Sequence, residues 1–227
     1  MTDARSDRPR VTVDVVSDVV CPWCFIGKRR LEKAIALRPD LDVTVRWNPF
    51  FLNPWVARNG ISREEYLTTK FGSVDRYKDI AQRIVGTAAE EGLVYHPDKI
   101  ARQPNTLDCH RLILWAGENG AAGRMKQRLM DLYFTEGGDL TDREVLVRAA
   151  ADCGMDAERT RARLASDEDV DTVSAQAKRA SDAGIDGVPC FILDGRFAVS
   201  GAQSPDYLAD AMGRAVEQRN TPDTALA

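Results

Sequence analysis

The sequence is poor in histidine, in excess charge of one sign and in long apolar runs. It has 227 residues with 2 histidines, and 31 Lys and Arg against 35 Asp and Glu give a net charge of -4. This balance, without a basic stripe, argues against a nucleic-acid partner. No stretch approaches the roughly 18 consecutive apolar residues of a membrane span, and the polar start MTDARSDRPR has no apolar signal core. We therefore expect a cytoplasmic protein without a membrane partner.

Paired cysteines are also scarce. Five cysteines are an odd number, and the two that lie close together, Cys21 and Cys24, form a CxxC sequence, which indicates redox catalysis or metal binding in a reducing compartment. A zinc site needs a second pair of ligands, which His96 and His110 do not supply by their spacing. Phe25 follows Cys24 where covalent haem attachment requires histidine. We expect neither a metal nor another cofactor.

The stretch VVCPWCFIGK reads as the end of a strand followed by the start of a helix. Val11–Val16 is rich in β-branched residues, and Pro22 suits a first helical turn because it has no amide hydrogen to leave unpaired. One helical turn brings two cysteine sulfurs within bonding reach. The unpaired amides at the helix start favour the thiolate of Cys21, which makes it the predicted attacking group, with Cys24 resolving the mixed disulfide.

The remaining pattern predicts an α/β protein with a long helical insertion. A helix to about Leu37 and an alternating strand over Leu41–Trp47 give a parallel β-α-β unit. From 62 to 183 the pattern is helical, and the predicted helix N-caps are Ser62 (with Glu65), Asn105, Thr141 (with Glu144) and Asp156. Glycines stand where these helices should stop, at Gly92, Gly120, Gly137, Gly154 and Gly184.

After Gly184 the strand pattern returns. Cys190–Leu193 and Phe197–Val199 are joined through Asp194-Gly195 as a hairpin, and Ser204 begins the last helix. We expect one discontinuous domain, 10–60 with 184–219, interrupted by a helical insertion over 61–183. The tail, 220–227, is predicted to be disordered.

This order of elements resembles a thioredoxin fold, and the insertion resembles that of DsbA-like oxidoreductases, in particular the FrnE-like branch, whose bacterial members are commonly cytoplasmic. The matching pieces are CPWCFIGK (21–28), NPFFLNP (48–54), NT-x-x-x-HRL (105–112), GVPxF (187–191) and SGAQ (200–203). The resemblance implies that Pro189 follows a cis bond and that its loop lies against Cys21 and Cys24. Physically, a cis bond there would present the backbone of Val188 to an extended substrate, which would pair with it as an added strand.

Several residues near these motifs allow two interpretations each. Trp23, between the cysteines, either grips substrate or caps the helix, and His110 is either a proton shuttle or a structural residue. Cys190 either packs in the core or acts as a modulatory thiol beside the site, and Asn105 is a further candidate modulator. Two more cysteines, Cys109 and Cys153, are expected in the core because they share helix faces with apolar residues.

The sequence therefore predicts a thiol-disulfide oxidoreductase acting on a protein disulfide or a low-molecular-weight thiol, with a redox partner protein as a further candidate. Trp23 brings no charge to Cys21, so we expect a weaker oxidant than DsbA. Two other functions stay open. One is a glutathione-dependent isomerase or transferase of the 2-hydroxychromene-2-carboxylate isomerase and kappa-class type, whose members typically carry serine where Cys21 stands. The other is a non-catalytic chaperone or biosynthetic accessory protein. The sequence indicates no oligomeric state.

Overall fold

The computed structural model describes residues 8–219, and its elements follow the predicted order with two short strands added in the helical insertion. They follow one another as β1 (Arg10–Ser17), α1 (Pro22–Ala36), β2 (Asp42–Pro49), β3 (Ile61–Ser62), α2 (Arg63–Phe71), α3 (Val74–Glu90), β4 (Arg102–Gln103), α4 (Leu107–Gly117), α5 (Ala122–Asp131), α6 (Arg143–Asp152), α7 (Ala157–Ala165), α8 (Val170–Asp182), β5 (Cys190–Leu193), β6 (Phe197–Ser200) and α9 (Pro205–Arg219). A 3-10 turn, Pro97–Lys99, precedes β4, and a π-helical turn, Leu132–Glu136, continues α5. The predicted tail, 220–227, lies outside the described residues.

Four strands form the central sheet, in the order β2-β1-β5-β6. β1 pairs in parallel with β2, with Val13 opposite Val45, and antiparallel with β5, with Val15 opposite Phe191. Val11, Val13 and Val15 lie on one face of β1 and are buried against α1 and α9. The thioredoxin-like α/β fold is confirmed. Its central strand β1 leads directly into the CxxC segment.

The predicted hairpin, the predicted end of the first helix and the predicted start of the last helix are confirmed. Asp194 and Gly195 both have positive φ, at 52° and 68°, which short polar residues and glycine tolerate at a hairpin turn. α1 ends at Ala36, shortly before Pro39, because proline cannot continue the hydrogen-bond ladder. The hydroxyl of Ser204 accepts a hydrogen bond from the amide of Tyr207 at 3.3 Å, which caps α9.

Two of the four predicted helix caps inside the insertion are correct. Ser62 accepts from the amide of Glu65 at 3.1 Å, and Asp156 accepts from that of Arg159 at 2.7 Å. The glycines predicted to end helices, Gly92, Gly120, Gly137, Gly154 and Gly184, all have positive φ.

The predicted cap at Thr141 is wrong, because its neighbour Asp142 takes that role. The carboxylate of Asp139 accepts from both the amide and the hydroxyl of Thr141, at 2.8 and 2.7 Å, whereas Asp142 accepts from the amide of Glu144 at 2.8 Å. A carboxylate beside a helix N-terminus also complements its positive partial charge.

Asn105 is not the N-cap, as predicted, but lies one residue before it. Thr106 is the N-cap of α4, but the Asn105 carbonyl oxygen still accepts from the amide of Leu107 at 3.0 Å. Its side-chain amide donates to the backbone of Val56 at 2.8 Å and so ties the start of α4 to the loop after β2.

One large apolar cluster joins the CxxC segment to the insertion. It contains Cys21, Cys24, Phe25 and Ile26 together with buried side chains of α3 to α7. Phe25 of α1 stacks on Phe134 of the π-helical turn, with ring centroids 5.2 Å apart. The helices of 61–183 therefore form one wall of the space around the two cysteines.

Candidate active site

The two cysteines occupy the predicted positions at the start of α1. Cys21 is the N-cap, in an extended conformation, and Pro22 is the first helical residue. The Cys21 carbonyl accepts from the amides of Cys24 and Phe25, at 3.0 and 3.2 Å, so the first turn is closed. Both thiols are buried, and they are not joined by a disulfide.

The bond between Val188 and Pro189 is cis, as the family resemblance implied. Its loop contacts the first cysteine: the Sγ of Cys21 lies 3.4 Å from the carbonyl oxygen of Val188. Behind this contact α1 approaches closely at Gly27, where a Cβ would stand 2.8 Å from the Pro189 side chain. A glycine at this position lets α1 lie against the loop.

The surroundings shift the pKa values of the two thiols in opposite directions. A hydrogen bond from the Cys24 side chain, with the backbone amides of Trp23 and Cys24, lowers the pKa of Cys21 against the opposing effects of burial and of Asp18. Burial raises the pKa of Cys24 well above its ordinary value, and the neighbouring Cys21 raises it further. A low pKa suits a thiol that attacks as a thiolate, and a high pKa suits an inner thiol that stays protonated until it resolves the mixed disulfide.

A buried group of ionisable side chains lies beside the thiols. Asp18 is fully buried, and its carboxylate accepts from the amides of Val19 and Leu52 at 2.7 and 2.9 Å. Burial opposes the charge of Asp18, but the hydrogen bond with His110, at 3.3 Å, and that with Leu52 hold its pKa below the ordinary value. Burial lowers the pKa of His110 despite the nearby carboxylate.

Lys126 of α5 brings a positive charge to the same buried region. The side chain is 1% exposed, and burial lowers its pKa while the charges of Cys24, Asp18 and Cys21 raise it. The charge of Lys126 in turn lowers the pKa of Cys24. The insertion therefore supplies a side chain whose positive charge favours the thiolate of Cys24.

A cavity of about 260 Å³ opens beside Cys21, between the CxxC segment, the Val188 loop and the insertion. Trp23 borders this cavity, and 41% of its surface is exposed. Its contact with substrate stays a prediction. Aromatic side chains of the insertion form most of the far wall. Arg63 and Lys70 add two cations to it.

The remaining cysteines lie away from this cavity. Cys109 and Cys153 are buried in the large apolar cluster, as expected. Cys190 is buried beside Val16 and Phe50 at the start of β5, and burial raises its pKa. Although Cys190 follows Pro189 directly, it does not line the cavity.

Sequence reasoning missed Asp18 and Lys126 as site residues. The signal for Lys126 was present, because it lies on the same helix face as Ala122, Met125 and Leu129, where a charged residue needs a partner. Asp18 carried no such signal, since a polar residue after a strand is equally typical of an exposed turn. The cations Arg63 and Lys70 were missed because a helical pattern does not say which cavity a helix borders.

Within residues 8–219 no three His, Cys, Asp or Glu side chains are grouped as a metal site would require. No helix in this same part of the chain has both the length and the apolar character needed to span a bilayer.

A CxxC pair at a helix start, facing a cis-proline loop, on a split α/β fold, is typical of the thioredoxin-like class of proteins. The sequence model of the DSBA-like thioredoxin domain matches residues 12–213. The chain therefore belongs to the DSBA-like thioredoxin family.

Among solved structures, the chain is similar to a probable DsbA oxidoreductase from Streptomyces coelicolor. The two are 33% identical, with a TM-score of 0.84 and coverage of 95% of this chain and 94% of that one. Two more distant structures share the fold. A 2-hydroxychromene-2-carboxylate isomerase is 18% identical, with a TM-score of 0.69 over 92% of this chain and 97% of that one. The cytosolic disulfide reductase DsbM from Pseudomonas aeruginosa is 21% identical, with a TM-score of 0.62 over 91% and 99%; a second DsbM structure is described as being with GSH. The fold is thus common to redox and isomerase proteins, and the residues of the site must discriminate between them.

Proposed function

We propose that the chain is a thiol-disulfide oxidoreductase in which Cys21 attacks and Cys24 resolves. The observation that carries the proposal is geometric: Cys21 is the N-cap of α1, Cys24 follows in the first turn, and the Cys21 sulfur lies 3.4 Å from the Val188 carbonyl before the cis bond. The lowered pKa of Cys21 and the raised pKa of Cys24 agree with these roles. Membership of a family that includes oxidoreductases supports it.

The exchange proceeds in two balanced steps. The thiolate of Cys21 attacks one sulfur of a substrate disulfide, forms a mixed disulfide and releases the other half as a thiolate, which takes up a proton from water. Cys24 then loses its proton and attacks the Cys21 sulfur, which releases the second substrate thiol and leaves a Cys21–Cys24 disulfide. The substrate gains the two electrons that the protein dithiol loses. Two equivalents of a low-molecular-weight thiol, or one dithiol protein, restore the dithiol.

The cis-proline loop supplies the substrate contact in this scheme. The Val188 carbonyl accepts from the Cys21 thiol, and once Cys21 is deprotonated this oxygen has no donor there and can accept from a substrate amide. Pro22, Trp23, Val188 and Pro189 would then contact the substrate around the reacting sulfur. Trp23 places no charge beside Cys21. We therefore propose that the reduction potential of this dithiol is more negative than the value of DsbA, which is about -120 mV.

A reducing role agrees with a cytoplasmic location and with a low-molecular-weight thiol as electron donor. DsbM, which shares the fold, is described as a cytosolic disulfide reductase and has a structure with GSH. We extend to this chain only the class of partner, a small thiol or a redox partner protein.

The test compares wild type with Cys21→Ser and Cys24→Ser on a protein disulfide and on glutathione disulfide. We expect Cys21→Ser to abolish thiol release, and Cys24→Ser to stop after one half-reaction with the substrate bound to Cys21, which mass spectrometry detects. Thiol release by Cys21→Ser at the wild-type rate would refute the proposal.

The same variants decide between this function and its two alternatives. Isomerase or transferase relatives typically use serine where Cys21 stands, so their activity would survive Cys21→Ser, whereas disulfide exchange would not. A chaperone or accessory protein would bind without turnover. Its cysteines would be alkylated no faster than those of an unfolded peptide.

A further inference from the structure

The cavity beside Cys21 has a composition that identifies a class of ligand. We propose that it binds a small organic disulfide or thiol that carries an aromatic or similarly bulky apolar group and a negative charge. This inference deepens the proposed function, since it names the substrate class of the same site.

The walls are apolar and largely aromatic. Tyr66, Phe71, Tyr77, Tyr95, Tyr133 and Phe134 all border the cavity, and they come from α2, α3, the segment after α3 and the π-helical turn. Three of the four tyrosine hydroxyls are hydrogen-bonded within the insertion. The Tyr77 and Tyr95 hydroxyls are hydrogen-bonded at 2.8 Å, and Tyr133 donates to Gln103 at 2.9 Å. What faces the cavity is therefore mainly ring surface, which favours a flat apolar ligand.

The charge of the lining is one-sided. Arg63 and Lys70 are its ionisable side chains apart from the thiol and the phenols, and no acidic residue borders the cavity among the described residues. Neither cation forms an ion pair with a carboxylate within residues 8–219, where surface arginines and lysines commonly do. An anionic group on the ligand would supply the missing partner.

Arg63 is held in place for such a contact. Its guanidinium carbon lies 5.2 and 5.1 Å from the rings of Tyr66 and Tyr77, and its Nη1 donates to Gln103 at 3.3 Å. The buried Nε of Arg63 has no hydrogen-bond partner in the described part of the chain. A buried donor without an acceptor costs free energy, which an anionic ligand would recover.

Lys70 is the more exposed of the two cations. Its Nζ donates to Asn53 at 2.6 Å and lies 5.6 Å from the Tyr66 ring. Lys70 and Cys21 line the same cavity. Burial lowers the pKa of Lys70, and the charges of Cys21 and Asp18 act against this effect. An anion held by Lys70 would thus be attached close to the sulfur under attack.

The size of the cavity restricts the ligand further. Its volume of about 260 Å³ lies just below the roughly 300–1,000 Å³ typical of small-molecule sites, so it accommodates one compact group and not a folded chain segment. The reaction with such a disulfide is the two-step exchange described above, in which two substrate thiols form and the Cys21–Cys24 disulfide is reduced again by a small thiol.

The experiment measures rate constants for modification of Cys21 by three disulfides at one pH. The probes are 5,5′-dithiobis(2-nitrobenzoate), an aromatic dianion, 4,4′-dithiodipyridine, a neutral aromatic, and cystamine, an aliphatic dication. Each constant is divided by that for N-acetylcysteinamide, which removes the intrinsic reactivity of the probe, and Cys21→Ser gives the background from other cysteines. We expect normalised constants in the order dianion, neutral aromatic, dication.

Lys70→Met is the informative variant, with Lys178→Met on α8 as the control for net charge. Removing one charge near the site should lower the ratio of the dianion to the neutral aromatic probe by about fivefold, whereas Lys178→Met leaves it unchanged. The ratio is insensitive to the thiolate fraction of Cys21, because a changed pKa affects both probes equally. Circular dichroism of each variant checks the fold.

Equal normalised constants for all three probes in wild type, or an unchanged ratio in Lys70→Met, would overturn the inference. In either case Cys21 would still react with disulfides, so the proposed redox function would stand. Absence of any reaction at Cys21 would instead refute the proposed function.

Discussion

At the scale of single residues, the acidity of Cys21 depends on its partner in the dithiol. The Cys24 side chain makes the largest contribution to the lowered pKa of Cys21, through a hydrogen bond to its sulfur. Serine in place of Cys24 keeps a donor at this position, whereas alanine removes it. The pair of variants therefore separates the hydrogen bond from the rest of the environment.

We expect the Cys21 thiolate to form at higher pH in Cys24→Ala than in Cys24→Ser. Because the pKa of Cys21 is lowered, the thiolate is present below the ordinary titration range of a thiol and is lost as pH falls through the lowered pKa. The measurement is thiolate absorbance at 240 nm against pH, with alkylation rate as a second readout and Cys21→Ser as the blank. Coincident titration curves for the two variants would contradict the assignment.

Lys126 acts on the second cysteine. Since its charge lowers the pKa of Cys24, we expect Lys126→Met to slow the resolving step by about three- to tenfold and to prolong the mixed disulfide. Methionine keeps a similar length, and Asp18 keeps its hydrogen bonds with Val19, Leu52 and His110, so we expect a less stable but folded variant, which circular dichroism checks. The lifetime of the mixed disulfide is measured by acid quenching and mass spectrometry.

Met125→Leu, one residue away on the same helix, is the matched control for packing. It replaces a fully buried side chain by one of similar volume without changing charge. Equal slowing by both variants would show that the effect comes from helix packing and not from the charge of Lys126.

At the scale of elements, the contact between α1 and the loop before β5 sets the geometry of the site. Gly27 is the closest point, because an added Cβ would lie 2.8 Å from the Pro189 side chain and 3.3 Å from the Phe191 ring. A methyl group there must displace either the helix or the loop. The distance between Cys21 and Val188 would change with it.

We expect Gly27→Ala to destabilise the protein by about 1–3 kcal/mol and to reduce the rate of attack by Cys21. Gly86→Ala in α3 is the opposite case, since nothing lies within 4 Å of its added Cβ, and alanine should stabilise that helix by up to about 1 kcal/mol. Urea unfolding measures both free energies. A Gly27→Ala variant as stable and as reactive as wild type would contradict the close contact.

The elements themselves were predictable from the sequence to different degrees. The strand-helix start at Cys21, the hairpin at Asp194 and the cap at Ser62 follow from local patterns, which need no knowledge of distant residues. Thr141 and Asp142 are adjacent capping residues, and which one caps depends on Asp139, whose position only the folded loop determines. Asp18 and Lys126 become site residues by packing between elements that are far apart in sequence. A local pattern places Lys126 on an apolar helix face, but it does not say that this face meets the two thiols.

At the scale of the whole molecule, an ionic contact ties α1 to the end of α3. Glu91 accepts from Arg30 and from Lys33, both at 2.6 Å, and Arg30 also donates to the Ala202 carbonyl at 2.6 Å. Burial acts to raise the pKa of Glu91, but the hydrogen bonds from Lys33 and Arg30 outweigh it and lower the pKa. This contact connects the CxxC helix, the insertion and the segment after β6.

We expect Glu91→Gln to lower stability by about 1–2 kcal/mol at pH 7, or roughly 2–8 °C in Tm. The lowered pKa means that the contribution of Glu91 is complete above its unfolded value, about 4.3, and is lost as pH falls through the folded value. The difference between wild type and variant should therefore shrink in acid. Asp182→Asn, which breaks the exposed pair with Lys178, is the control and should change stability by less than about 1 kcal/mol. Equal effects of the two variants would contradict a structural role for Glu91.

The position of Lys70 and Lys126 on the insertion, with both cysteines on α1, makes binding and redox state thermodynamically linked. An anion in the cavity shares the field of Lys70 with the Cys21 thiolate, so its affinity must differ between the dithiol and disulfide forms of the protein. By reciprocity, the same factor that changes its affinity changes the midpoint potential of the dithiol. The concentration of such a ligand would then shift the midpoint potential of the Cys21–Cys24 pair. The insertion, which carries Lys70, would couple ligand binding to the redox equilibrium.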